Sequence, residues 1–271
     1  WLSTPGDYHT ETYYEFIIWG GGHLLQFVNI ATAVVVWLML LQKLLGRDAL
    51  SYNWSALLFS LFSLPVLASP LLLLNGTSGS LYITGFTRYM QWGIFPIISI
   101  FMFLFTAKLI RAYRRNELPS NLLNNSYFNG LTASMLFIVL SFILGMLIQG
   151  SNTMVPAHYH ASLGGITIAF MVTVYLLMDY YGIPLPVGKV QKWSAIQPLL
   201  FGIGQAIFVS GLAYAGAYGL ARKVFGAEQQ INSVEVYTGL SLLFVGGSLA
   251  IAGGILFFWI VIKRWQAYQT Q

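Results

Sequence analysis

The stretch Val155-Pro156-Ala157-His158-Tyr159-His160 opens an apolar run that continues to about Met178. As a helix, that run is long enough to cross the roughly 30 Å hydrocarbon core of a bilayer. Two histidines with one residue between them lie about 200° apart around a helix, because each residue advances about 100°. They are poorly placed to share one metal ion, as an i, i+4 pair can. They address opposite flanks, so one helix can offer an imidazole to a flat cofactor on each side. The competing reading is of two polar residues meeting water or headgroups at a helix entrance.

The rest of the chain suits the same solvent. Of 271 residues, 57% are hydrophobic and 8% charged, and the mean hydropathy is +0.70, as expected of an all-α integral membrane protein. With no cysteine, disulfides, thiolate metal sites and iron–sulfur ligation are excluded. A metal or cofactor would have to use histidine, carboxylate or carbonyl groups. The net charge of +5 suits loops beside an anionic lipid leaflet and makes no separate case for nucleic acid. The chain begins at Trp1, which is expected of a processed protein, a fragment or the later part of a larger one.

Seven apolar stretches, near 15–42, 54–74, 84–112, 127–149, 157–181, 197–221 and 235–262, predict seven transmembrane helices in one domain over 1–271. A backbone in lipid must satisfy its own hydrogen bonds, and these lengths suit helices, not barrel strands. Ten basic residues (Lys43, Arg47, Lys108, Arg111, Arg114, Arg115, Lys189, Lys192, Lys263 and Arg264) follow odd-numbered spans or lie toward the C-terminus. The other face has three, Arg88, Arg222 and Lys223. This asymmetry predicts an outside N-terminus and a cytoplasmic C-terminus. His158 and His160 then lie near the outer end of the fifth span.

His23 stands about two turns into the first span, after Gly20-Gly21-Gly22. Each glycine costs roughly 1 kcal/mol against alanine in a helix interior, so three together call for close approach of a backbone or a flat ligand. The alternative is ordinary small-residue packing, with His23 bonded to a neighbouring carbonyl. His9 is expected in solvent. The acids that fall within spans stand at their ends (Glu15, Asp179 and Glu235), unlike the mid-depth acid of a proton pump or ion-coupled transporter. The glycines at 202, 204, 246, 247, 253 and 254 read as packing surfaces. Arg222-Lys223 is suited to carboxylates, or to capping the sixth helix.

Ala157-His158-Tyr159-His160, followed by Ser162-Leu163-Gly164-Gly165, resembles the tenth helix of the haem–copper oxidase catalytic subunit. That family includes oxygen-reducing terminal oxidases and nitric oxide reductases. The resemblance implies that His158 binds the iron of a high-spin haem and His160 that of a low-spin haem. Trp19-Gly20-Gly21-Gly22-His23 resembles the sixth helix, which implies His23 as a catalytic residue and copper ligand. Gly219-Leu220-Ala221-Arg222-Lys223 resembles the outer basic segment that contacts haem propionates. The seven spans would then match helices six to twelve of a twelve-helix subunit.

The chain departs from the family in several places. The span 54–74 lacks the two adjacent histidines that complete the copper site. Phe27 and Leu25 replace a tyrosine and a glutamate, and Gly150-Ser151 replaces a histidine–aspartate pair. The resemblance implies a haem-binding subunit of a respiratory oxidoreductase in a bacterial or archaeal plasma membrane, with one or two haems and copper in question. Electrons would pass from a cytochrome c-type or quinol donor through the low-spin haem to a high-spin haem that reduces O2 or NO. Another membrane subunit or segment would supply the earlier helices. Two alternatives stay open: a non-catalytic membrane cytochrome subunit, and a haem-free seven-helix transporter, receptor or assembly subunit.

Overall fold

A computed structural model describes residues 10–224, 229, 231 and 233–270; His9 lies outside them. Seven helices follow in order: α1 Thr10–Leu45, α2 Tyr52–Ala68, α3 Ser80–Arg114, α4 Ser126–Met146, α5 Met154–Tyr180, α6 Lys189–Ala217 and α7 Val234–Gln269. Each contributes a segment long and apolar enough to cross a membrane, and no strand occurs among the described residues. The chain divides into two compact units, Trp1–Glu117 and Leu118–Gln271.

In the first unit α1 packs against α2 and α3. The expected span over 54–74 changes geometry at its end, with α2 giving way to a 3₁₀ turn over Ser69–Leu73. Pro70 has no N–H for the carbonyl of Val66, and the Ser69 hydroxyl donates to that carbonyl instead, at 2.8 Å. Side-chain insertion also opens α1. The Tyr82 hydroxyl accepts from the Gly20 N–H (2.8 Å) and donates to the Phe16 carbonyl (2.8 Å). It thereby stands inside one rung of the helical ladder.

In the second unit α5 packs against α4 and α6, and α6 lies along α7. The buried positions of α5 include Met154, Ala157, Ala161, Gly164, Gly165, Ile168, Val172 and Tyr175, a run at helical spacing in which small residues admit neighbouring backbones. A Cβ on Gly204 would meet the backbone nitrogen of Ala250, and one on Gly246 that of Phe208. Gly253 similarly abuts the Phe201 backbone at 2.7 Å. Of the glycines read from the sequence as packing surfaces, Gly204, Gly246, Gly247 and Gly253 therefore seat α6 and α7 on each other, Gly202 faces Ile168 of α5 and Phe137 of α4, and Gly254 meets no atom of the described residues within 4 Å.

Helix ends are settled locally. Asn125 caps α4 by accepting from the N–H groups of Tyr127 and Phe128, and Ser233 caps α7 by accepting from Val236. At the end of α6, Gly219 takes a φ of +87°. Leu220 N–H then reaches the Ala215 carbonyl, and Gly219 N–H that of Gly216, the paired closure of a Schellman turn. Backbone groups thus close this helix end.

Candidate functional site

The two histidines of α5 do face different neighbours. His158 is half-buried against α4, with Nδ1 2.7 Å from the Ser141 carbonyl oxygen. A carbonyl can only accept, so Nδ1 carries the proton and Nε2 keeps its lone pair. The Ser141 hydroxyl lies 3.2 Å from the same Nδ1 and donates to the His158 carbonyl at 3.4 Å. One turn further along α4, Gly145 makes room for the ring. A Cβ there would stand 3.1 Å from both Cε1 and Nδ1 of His158.

His160 is exposed and turns toward α6, where its ring meets Phe208 edge-on at 4.8 Å. Its ring nitrogens have no hydrogen-bond partner among the described residues. One turn along the same face, Gly164 abuts the side chain of Gln205. The Gln205 Oε1 atom is buried with no partner among the described residues. A buried acceptor left unpaired is unusual, and it stands on the face that carries His160.

His23 belongs to the first unit. Its Nδ1 donates to the Trp19 carbonyl at 2.7 Å, and its ring lies 4.6 Å from Trp19 and 6.5 Å from Phe86. Here too Nε2 is left with its lone pair. Trp19 is itself held by a bond from Nε1 to the Ile83 carbonyl, at 3.1 Å. Of the three glycines before His23, Gly20 is closely approached by Tyr82 and Phe86, and among the described residues nothing lies within 4 Å of a Cβ placed on Gly21 or Gly22. Packing within the first unit accounts for Gly20.

Arg222 and Lys223 lie beside the entry to α5. Residues 151–153 and 220–222 run antiparallel, with Asn152 bridged to Ala221 and Thr153 N–H donating to the Leu220 carbonyl. Arg222 Nε donates to the Ser151 hydroxyl at 2.9 Å. Lys223, held at a φ of +63°, is exposed. The pairing thus gathers the basic segment and the start of the histidine helix at one end of the second unit.

Charge asymmetry in the sequence counts Arg264 among the basic residues of the cytoplasmic side. The structure buries it to 1% exposure. Its guanidinium donates to Asp179 Oδ1 (2.6 Å), the Ile183 carbonyl (2.7 Å) and the Tyr175 carbonyl (3.2 Å). Tyr127 donates to the other oxygen of Asp179. Arg264 thus brings a cation from α7 to the C-terminal end of α5, where the helix dipole favours one. No signal in the sequence links it to Asp179, 85 residues away.

Residues and fold together define a bundle-forming helical protein of the membrane type, with imidazoles presented on two flanks of one helix. The relatives add the source of similar chains. Over 290 residues the chain is 29% identical to an uncharacterized protein of Rickettsia prowazekii (strain Madrid E), covering 93% of this chain and 55% of that protein. Over 203 residues it is 26% identical to an uncharacterized protein of Aquifex aeolicus (strain VF5), covering 74% of this chain and 47% of that one. The chain thus spans about half the length of these bacterial relatives. No protein-family model and no solved structure matches it.

Proposed function

We propose that the chain is the haem-binding, later half of a haem–copper-type respiratory subunit in a bacterial plasma membrane, with its N-terminus outside and its C-terminus cytoplasmic. His158 serves as axial ligand to a high-spin haem and His160 to a low-spin haem. The observation that carries the reading is the bond from His158 Nδ1 to the Ser141 carbonyl. A hydrogen bond at one ring nitrogen fixes the tautomer, orients the ring and leaves the other nitrogen to bind a metal. His160, with unbonded ring nitrogens on the opposite flank, suits the second ligand.

Haem supplies the one-electron chemistry when bound. The protein's part is to hold and orient. Ser141 and Gly145 set the His158 ring, Phe208 packs on His160, and Arg222 with Lys223 supplies positive charge for propionates beside the start of α5. In the haem–copper reading, a cytochrome c-type or quinol donor delivers electrons, another chain or segment completes the helices, and O2 or NO is reduced.

His23 offers one nitrogen to copper. Among the described residues no group of three or more His, Cys, Asp or Glu could hold a metal ion, whereas copper favours several nitrogen ligands. The ligand set does not fit copper, and we assign no step to it. That same observation favours, as a second reading, a membrane cytochrome subunit that transfers electrons without reducing a gas.

Purified complex, assayed for iron and copper per chain and for carbon monoxide binding to the reduced form, separates these accounts. Two irons and a carbon monoxide-sensitive spectrum are expected. Iron with no response to carbon monoxide would move the assignment to electron transfer alone. Absence of iron would remove the haem reading.

A further inference from the structure

We propose that the first unit carries a binding pocket for a phosphate group, independent of any haem. A concave space of about 330 Å³ is lined by Arg47, Lys108, Arg111, Arg115 and Asp48, with Leu45 and Ala112 at its wall. Lys108, Arg111 and Arg115 follow one another at spacings of three and four, which aligns them on one face of α3. Arg47 reaches the pocket from the other side, after Gly46 turns the chain out of α1 at a φ of +65°.

Two of these cations are committed and two are not. Glu117 holds Arg47 at 2.5 Å and lies 3.9 Å from Arg115. It is brought there by a turn at Asn116 (φ +54°), in which Glu117 N–H bonds back to the Ala112 carbonyl. Asp48 accepts from Gln42 at 3.2 Å. Lys108 and Arg111 have no acidic partner among the described residues. Glu117 thus offsets charge on one side of the pocket, Asp48 adds a carboxylate to its wall, and Lys108 and Arg111 leave the other side cationic.

Cations near a helix C-terminus are favoured by the dipole alone. That accounts for Arg111 and Arg115, but the effect fades within the last turn, and Lys108 is six residues before the end of α3 at Arg114. Lys108 is also only half-exposed. Guanidinium forks with an ammonium suit the tetrahedral oxygens of a phosphate. The position, where α1 and α3 leave their apolar segments, suits the phosphate of an anionic phospholipid, because basic pockets at helix ends bind such headgroups. Free phosphate offers the same chemistry.

The test compares the full chain with a Lys108→Gln/Arg111→Gln pair, using Lys189→Gln/Lys192→Gln in the other unit as control. Each is placed in phosphatidylcholine nanodiscs with or without phosphatidylglycerol, and bound lipid is read by native mass spectrometry. Separately, each is titrated with inorganic phosphate and its thermal transition followed. The unsubstituted chain should retain phosphatidylglycerol roughly tenfold better than the glutamine pair, and the control pair should match the unsubstituted chain. Lipid retention without a phosphate response assigns the pocket to a headgroup; the converse assigns it to free phosphate. Equal retention by all three chains with no response to phosphate overturns the proposal. If the glutamine pair does not fold, Lys108→Gln alone replaces it, and retention equal to that of the unsubstituted chain overturns the proposal. No preference of the unsubstituted chain for phosphatidylglycerol or phosphate is equally fatal.

Discussion

His158 donates from Nδ1 to the backbone carbonyl of Ser141, 2.7 Å away on the adjacent helix. The acceptor is a carbonyl that helix α4 holds in place, so the ring is oriented by backbone and not by a mobile side chain. Gly145 is the other half of this arrangement. In Gly145→Ala the new methyl would stand 3.1 Å from the ring, closer than ordinary contact, and would displace the imidazole by a few tenths of an ångström. The expected result is a shifted and weakened high-spin haem signal with the low-spin spectrum intact. An unchanged optical spectrum would detach His158 from haem.

The two α5 histidines should be separable. His158→Ala should abolish the carbon monoxide-binding haem while retaining the low-spin bands, and His160→Ala should do the reverse. Their rings meet α4 and α6 respectively, so neither deletion removes the other's support. Loss of both signals from either single substitution would contradict the two-flank assignment.

Removing one partner of the Arg264–Asp179 pair should cost more from the acid side. Asp179→Ala leaves a guanidinium that is 1% exposed without its carboxylate, at a cost of about 3 kcal/mol, the lower end for a broken buried pair, because two carbonyls still hold it. Arg264→Met instead leaves Asp179, at 27% exposure, with Tyr127 and some solvent, and should cost less. Unfolding midpoints of the solubilised chain test the order, and the double variant should lose less than the sum.

Helix α6 and helix α7 approach through glycine. Gly204→Ala places a methyl on the Ala250 backbone, where nothing can yield cheaply, whereas Gly254→Ala meets no atom within 4 Å. The first should cut the yield of folded protein severalfold. The second should be neutral, or stabilise by up to about 1 kcal/mol through helix propensity. Size-exclusion profiles after solubilisation distinguish the pair.

Tyr82→Phe should withdraw the hydroxyl that bridges Gly20 and Phe16. The two backbone groups can then bond directly only if α1 closes its rung, so a loss of about 1 kcal/mol is expected. Faster amide exchange at Gly20 would confirm that the rung stays open, and exchange unchanged from the parent would show that it closes.

Much of the candidate site was readable in advance because it depends on neighbours close in sequence. Helical periodicity places His158 and His160 on opposite flanks whatever surrounds them, and the structure finds α4 against one and α6 against the other. The role of Ser141 was hidden. In sequence it is one hydroxyl among several on apolar helices, and its carbonyl matters only because α4 runs beside α5. Composition also cannot say which glycine of the triplet before His23 packs against a neighbour; among the described residues Gly20 does, against Tyr82 and Phe86.

From its sequence alone this chain is committed to seven membrane-length helices, because apolar length and internally satisfied hydrogen bonds are local properties of each segment. The packing stripes of α6 and α7 are equally local, being written in glycine spacing. Only the tertiary structure decides that Arg264 is buried against Asp179, that Tyr82 opens α1, and that Arg222 joins Ser151 beside the histidine helix. Each of these joins residues more than sixty positions apart. A charge or hydroxyl looks the same in the sequence whether it meets water or a partner, and packing determines which.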